Sequence, residues 1–215
     1  MKSIYVDFGR RKASSYLFLS HIEEISYING NVDICVILKS SFYISLYNNV
    51  EATIYSILEK IHDEISSRHY SELIYDLKEK VADFHFGNQK MMSVKKKASL
   101  SDLIISGRYN LPQLNEYQNF KTVFSGNLNL KRIRDIFKSY GINLGYVRGN
   151  PEHLLSVTNK RNMIAHGEQS LSEAGKTSNA ALRSVMESVD LILEDAIIRA
   201  EDYIDNKRYL IITNG

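Results

Sequence analysis

The sequence predicts an all-α protein, an antiparallel helical bundle with one loop-rich insertion. Three observations predict it. Apolar residues recur at steps of three and four along most of the chain. Only two prolines occur in 215 residues, which suits long uninterrupted helices better than a turn-rich β sandwich. Helix punctuation falls where the periodic stretches begin and end. The 44% apolar and 24% charged content is that of a folded chain, not a disordered one. The length suffices for one domain, residues 1–215, with a core of its own.

Each element has its own signal. Phe18, Ile22 and Ile25 share the face of a first helix. Leu38, Phe42, Leu46, Ile54, Ile57, Leu58, Ile61 and Ile65 predict a long helix over about residues 36–67. Leu73, Leu77, Val81 and Phe84 predict a third. Residues 85–126 are polar and weakly periodic, and read as the loop-rich insertion. Lys95, Lys96 and Lys97 fall in it as a surface loop. Ile133, Ile136 and Phe137 mark a short helix ended by Gly141. Asn150-Pro151 fits an N-cap followed by proline at the first helical position. That helix should run to about Ala165, with Gly167 just past its end. Ser170 and Glu173 have capping-box spacing. Leu182, Val185, Val189, Ile192, Ala196, Ala200 and Tyr203 predict a long last helix. Residues 209–213 are β-prone, or a tail.

Composition excludes several classes. A single cysteine, Cys35, leaves no intrachain disulfide and no C-x-x-C zinc pattern. No apolar run reaches membrane-spanning length. The first residues lack the apolar core of a secretory signal, so the expected setting is cytoplasmic, without membrane. His21, His62, His69, His85 and His153 form neither His-x3-His nor H-E-x-x-H, so no metal site and no cofactor is expected. The net charge of +2 hides an asymmetry. Residues 84–112 carry +4 (Lys90, Lys95, Lys96, Lys97 and Arg108 against Asp102), and residues 128–161 carry +5. Such windows suit a polyanion, or are two solvated faces.

One stretch carries candidate chemistry: Lys160-Arg161-Asn162-Met163-Ile164-Ala165-His166-Gly167. Arginine forks onto phosphate oxygens and stays charged. Histidine moves protons near neutral pH. Both fall at the C-terminal end of a predicted helix, where the dipole favours cations. Five residues along an ideal helix turn the side chain by about 140°. Arg161 and His166 share a face only if the helix loosens near Ala165, which Gly167 would permit. The plain alternative is an arginine paired with an acid and a histidine capping carbonyls.

Arg161-Asn162-Met163-Ile164-Ala165-His166-Gly167 resembles the Arg-x4–6-His motif of the HEPN superfamily. Residues 42–53, Phe42 to Thr53, resemble the early helix of its MAE-type branch. Ser125-Gly126-Asn127-Leu128, with Arg132-Ile133-Arg134 and Tyr140-Gly141-Ile142, resembles the segment before that branch's catalytic helix. The resemblance implies a metal-independent endoribonuclease acting as a homodimer, with RNA across the cleft where two motifs meet. It implies cleavage through the 2′-hydroxyl to a 2′,3′-cyclic phosphate and a 5′-hydroxyl. It further implies a toxin or phage-defence effector, with an antitoxin or regulatory protein as partner.

Under that resemblance Arg161, His166 and Asn162 are catalytic. Asn162 would orient His166 or bind a phosphate oxygen, or simply serve the helix end. Glu51 would hold Arg161 or His166 in place, or be an exposed acid. Lys160 would bind phosphate or be solvated. Glu168 stands where some HEPN toxins carry a modifiable tyrosine two residues after the histidine, so the motif gives no support to control by that route; as a nearby acid it would raise the imidazole pKa or orient the ring. Lys131, Arg132 and Arg134 would extend an electrostatic track for RNA. The alternatives are a non-catalytic HEPN module binding RNA, a nucleotide or a partner protein, and a plain helical scaffold.

Overall fold

The computed structural model describes residues 1–87, 93–106, 109–124 and 126–211, with the side chains of residues 96, 100 and 104 left aside. Lys90, Arg108, Ser125 and residues 212–213 therefore lie outside the described residues, as does the side chain of Lys96. Nine α-helices occur among the described residues: α1 Lys2–Ser26, α2 Val32–Ile65, α3 Tyr75–Phe86, α4 Val94–Ile105, α5 Leu114–Phe120, α6 Leu130–Lys138, α7 Pro151–Ala165, α8 Leu171–Ala174 and α9 Asn179–Asp205. A 3₁₀ turn, Tyr70–Glu72, precedes α3. The sole sheet-like pairing among the described residues is an isolated antiparallel bridge between Leu73 and Leu210. The fold is all-α.

The chain divides into two compact units. The first contains Met1–Ser56, Phe124–Arg134 and Leu144–Ile198. Its helices run antiparallel, and polar pairs along the seams show it. Cys35 Sγ lies 3.9 Å from the Ile22 carbonyl, Asn49 Nδ2 donates to Ser15 Oγ at 2.9 Å, and Arg11 donates to Thr53 Oγ1 at 3.2 Å. Numbers fall along α1 as they rise along α2. The same reversal holds for α1 and α9, through Asn179 to Ser26, Arg183 to Glu23 and Lys12 to Glu194. Between the seams Phe42, Leu46, Val50 and Ile54 of α2 are fully buried, as are Leu182, Met186 and Leu193 of α9. That burial, not helix propensity, supplies most of the stability.

The second unit contains Ile57–Val123, Asp135–Asn143 and Arg199–Gly215. A buried polar cluster sits within an apolar core that includes Ile57, Leu58, Ile61, Leu77 and Val81. His62 is wholly buried, with Nδ1 2.7 Å from the Pro112 carbonyl and Nε2 2.7 Å from the Tyr140 hydroxyl. A carbonyl only accepts, so Nδ1 carries the hydrogen and Nε2 accepts from Tyr140. Tyr203 donates its hydroxyl to the Tyr140 carbonyl at 2.6 Å. Lys80 lays its ammonium 4.0 Å over the Tyr140 ring, and burial lowers its pKa to about 8.

Several expectations need correction. Residues 85–126 are less loop-rich than their composition suggests, since α4 and α5 lie there. The α4 side chains that are described are exposed, Val94 and Ile105 among them. The lysine, alanine and leucine content of α4 favours helix locally. α5 has seven residues, too few to show a period, although Leu114 and Tyr117 are buried. Lys95, Lys96 and Lys97 sit on α4, not in a loop. Leu73 is excluded from α3 by its bridge to Leu210. α2 starts at Val32, four residues before the expected position, because Cys35 N–H already bonds back to the Asn31 carbonyl at 2.9 Å.

Candidate functional site

α7 carries the motif, and its ends follow the sequence signals. Asn150 Oδ1 accepts from the Glu152 N–H at 3.0 Å, and Pro151 occupies the first position. At the other end His166 is the C-cap and Gly167 adopts φ +72°. Gly167 N–H bonds to the Ile164 carbonyl at 3.1 Å, and Glu168 N–H to the Met163 carbonyl at 2.8 Å. These two bonds with a left-handed glycine make a Schellman motif. The helix does not loosen near Ala165: His166 N–H keeps its bond to the Asn162 carbonyl at 2.9 Å. Arg161 and His166 therefore leave the axis about 140° apart.

Arg161 is held by uncharged groups. Its guanidinium lies 4.7 Å over the Tyr47 ring of α2. Nη1 donates to the Gly126 carbonyl at 3.3 Å and to Asn162 Oδ1 at 3.1 Å. No carboxylate pairs with it among the described residues, so the acid-paired arginine of the plain alternative is not what forms. Its partners position the positive charge without cancelling it.

The platform beneath Arg161 is itself tied down. The Tyr47 hydroxyl accepts from the Leu128 N–H at 3.1 Å, and the Thr158 hydroxyl donates to the Leu128 carbonyl at 3.0 Å. Burial pushes the Tyr47 phenol up to about 12; the bond from Leu128 and the nearby Arg161 oppose that rise, while Glu51, one turn on, adds to it. The residues Gly126-Asn127-Leu128 thus join α2 to α7 at the arginine. Gly126 has φ +68°, and a Cβ there would stand 3.0 Å from Arg161 Nη1. Glycine both allows this backbone and leaves room for the guanidinium.

His166 is the opposite case. It is exposed, and its ring makes no hydrogen bond among the described residues. Glu168 is exposed too and makes none to it. Asn162 bears on Arg161 and not on His166. Glu51 acts on Tyr47, with no bond to Arg161 or His166 among the described residues. Lys160 is half-buried rather than freely solvated. Its Nζ donates to the Ala174 carbonyl of α8 and lies 4.7 Å over the Tyr43 ring, and burial lowers its pKa. It ties α8 to α7.

The outer cations are exposed on α6: Lys131, Arg132 and Arg134, the last donating to the Gly145 carbonyl at 2.9 Å. Among the described residues no three His, Cys, Asp or Glu side chains come together as metal ligands. No described helix is long and apolar enough to cross a membrane. Sequence reasoning missed Tyr43 and Tyr47. Their four-residue spacing puts them on one face of α2 under the consecutive cations Lys160 and Arg161. Nothing in one dimension says that this face meets α7.

Fold and site together define a helical protein whose Arg-x4-His motif closes a capped helix, with neither side chain paired to an acid among the described residues. The model of the MAE_28990-like HEPN family matches residues 10–209, and the chain belongs to that family. Comparison with curated proteins returned no match, and neither did comparison with solved structures.

Proposed function

We propose that this chain is a metal-independent HEPN-type endoribonuclease. The carrying observation is the guanidinium of Arg161, fixed by a ring, a carbonyl and an amide oxygen while its charge stays uncompensated. A preorganised cation of that kind stabilises the charge that builds on phosphorus-bound oxygens in a transition state. His166, with an uncommitted ring at the end of the same helix, is the proton carrier.

The reaction needs two proton transfers. The 2′-hydroxyl loses its proton as its oxygen attacks the adjacent phosphorus. The departing 5′-oxygen gains a proton as its bond to phosphorus breaks. The products are a 2′,3′-cyclic phosphate and a 5′-hydroxyl. One chain offers one motif histidine. A twofold dimer supplies two, one as base and one as acid, together with two copies of Arg161. Arg161 and His166 leave one helix about 140° apart, so a single chain does not bring its own pair to one point, and the reading depends on the second copy of the motif. Lys131, Arg132 and Arg134 extend the electrostatic path for the RNA backbone. Asn162 and Tyr47 position Arg161. The HEPN resemblance supports a toxin or phage-defence role, restrained by an antitoxin or regulatory protein.

The test is RNA cleavage in excess EDTA by the wild type, His166→Ala and Arg161→Ala. Loss of the acid–base group should lower the rate by roughly 10²–10⁴. Equal cleavage by all three identifies a contaminating nuclease. No cleavage by any of them, across several RNA types, leaves the non-catalytic binding module as the reading.

A further inference from the structure

The second unit contains a cleft that the nuclease reading does not use. Its volume is about 710 Å³, and it is lined by Ile74, Leu210, Tyr75, Lys78, Lys207 and Arg208 among others. The lining includes three cations and no carboxylate. A second cleft in the same unit, lined by Lys80, Lys121 and three acids, has no such bias. Tyr75, at the first position of α3, is 74% exposed. A large aromatic ring that open to water beside three cations is a stacking surface with charge at its edge.

The backbone adds an independent observation. α9 ends in a Schellman motif: Lys207 N–H bonds to the Ile204 carbonyl at 3.0 Å, and Arg208 N–H to the Tyr203 carbonyl at 2.9 Å. The left-handed position that this motif usually gives to glycine is occupied by Lys207, at φ 50°. It is the one residue other than glycine with positive φ among the described residues. A lysine there is less favourable than glycine for folding. The gain is a cation placed in the cleft. Arg208 pairs with Asp202 at 3.0 Å yet remains 60% exposed. Lys78 lies 5.6 Å over the Tyr70 ring.

We propose that this cleft binds single-stranded RNA, one base stacking on Tyr75 while Lys78, Lys207 and Arg208 hold the flanking phosphates. The proposal goes beyond the cleavage motif, and rests on the RNA reading for the identity of its polyanion. The cleft is a second contact for the strand, one that reads no particular base, since every base has a face to stack.

The experiment measures binding of a fluorescent 12-nucleotide 2′-O-methyl RNA, which lacks the attacking hydroxyl, to the full chain over a series of salt concentrations. Tyr75→Ala should weaken binding about tenfold. Tyr75→Phe should keep it. Lys207→Gly should lower the salt slope by about 0.7, the share of one phosphate contact on a single strand. This variant relieves the backbone, so it should melt no lower than the wild type and a folding defect cannot explain its loss of binding. Wild-type binding by both Tyr75→Ala and Lys207→Gly would overturn the proposal, as would wild-type protein that binds no RNA. Cleavage of a dinucleotide separates the two readings. If Tyr75→Ala cuts it normally but binds the 12-mer as wild type does, the cleft alone fails. If wild type never cuts it and Tyr75→Ala loses the 12-mer, the nuclease fails and the cleft stands.

Discussion

His62 and His166 are the same side chain put to opposite uses. His62 sits in the second unit with no exposure and both ring nitrogens bonded at 2.7 Å. His166 closes α7 in the first unit, exposed, with neither nitrogen bonded among the described residues. Burial, the largest cause, lowers the His62 pKa to about 4; the nearby Lys80 lowers it further, while the bond to Pro112 and Asp63 pull the other way. A histidine so placed is a neutral strut. It cannot exchange protons with a substrate near neutral pH, because its proton and its lone pair are both spent on the fold. The difference is one of availability: the ring of His166 is open to solvent, and that of His62 is not.

Crossing the two sites should produce the largest effects. His62→Ala leaves the Tyr140 hydroxyl and the Pro112 carbonyl without partners and opens a cavity. It should destabilise the protein by roughly 3–5 kcal/mol. His166→Ala should leave urea unfolding within about 0.5 kcal/mol of wild type, as for an exposed residue, while cleavage falls. Urea denaturation checks both. A large stability loss in His166→Ala, or none in His62→Ala, would break the comparison.

Acid should act through His62 as well. In the unfolded chain this residue takes a proton near pH 6.5; in the folded protein it does so only near pH 4. Between these values the unfolded state binds more protons, so stability is lost as pH falls from about 6.5 to 4, by on the order of 2–3 kcal/mol. Asp190 opposes this. It is buried with Oδ2 unpartnered, and burial raises its pKa to about 6, with Glu194 and Glu187 adding to the rise and Lys12 resisting it. Its folded pKa lies above the unfolded value, so its cost is absent below about pH 3.8 and fully present above about pH 6. Asp190→Asn should therefore stabilise by about 1–3 kcal/mol at pH 7 and hardly at all at pH 3.5. It should also steepen the acid loss left to His62. Thermal unfolding from pH 3.5 to 7.5 reads both effects.

Much of this was legible in the sequence, for local reasons. Asn150-Pro151, Gly167 and the Ser170–Glu173 box act within one helical turn, and each falls where the pattern puts it. The stripe of α2 was visible because burial imposes a 3.6-residue period. The bounds of α4 and α5 were not: α4 lies in a polar, weakly periodic stretch, and α5 is too short to show a period. At the site, the residue types Arg161 and His166 could be read, but not their surroundings. The Tyr47 ring lies 114 positions from Arg161 in sequence, and the Gly126 carbonyl 35 positions away. That Asn162 meets Arg161 and Glu51 meets Tyr47 could not be read, since which neighbour a polar side chain meets depends on helix packing. His62 gave no sign of being a strut, for the same reason.

The finest test uses two glycines with almost the same backbone and different neighbours. Gly126 and Gly167 have φ of +68° and +72°. Alanine at either should cost about 1–2 kcal/mol, because the left-handed region crowds a Cβ against the carbonyl. The added carbon at Gly126 would meet Arg161 Nη1 at 3.0 Å, whereas at Gly167 nothing lies within 4 Å. The guanidinium must then move by a few tenths of an ångström in the first variant and need not in the second. Displacing a positioned group by about 1 Å can cost as much as 10²-fold in rate, so the smaller shift should cost a few-fold. Gly126→Ala and Gly167→Ala should thus lose similar stability in urea, while Gly126→Ala loses a few-fold more cleavage. Equal losses of cleavage would mean that the pose of Arg161 on Tyr47 does not matter to the reaction. The arginine would then act as a mobile charge, as uncommitted as His166, and the contrast between a held cation and a free imidazole would disappear.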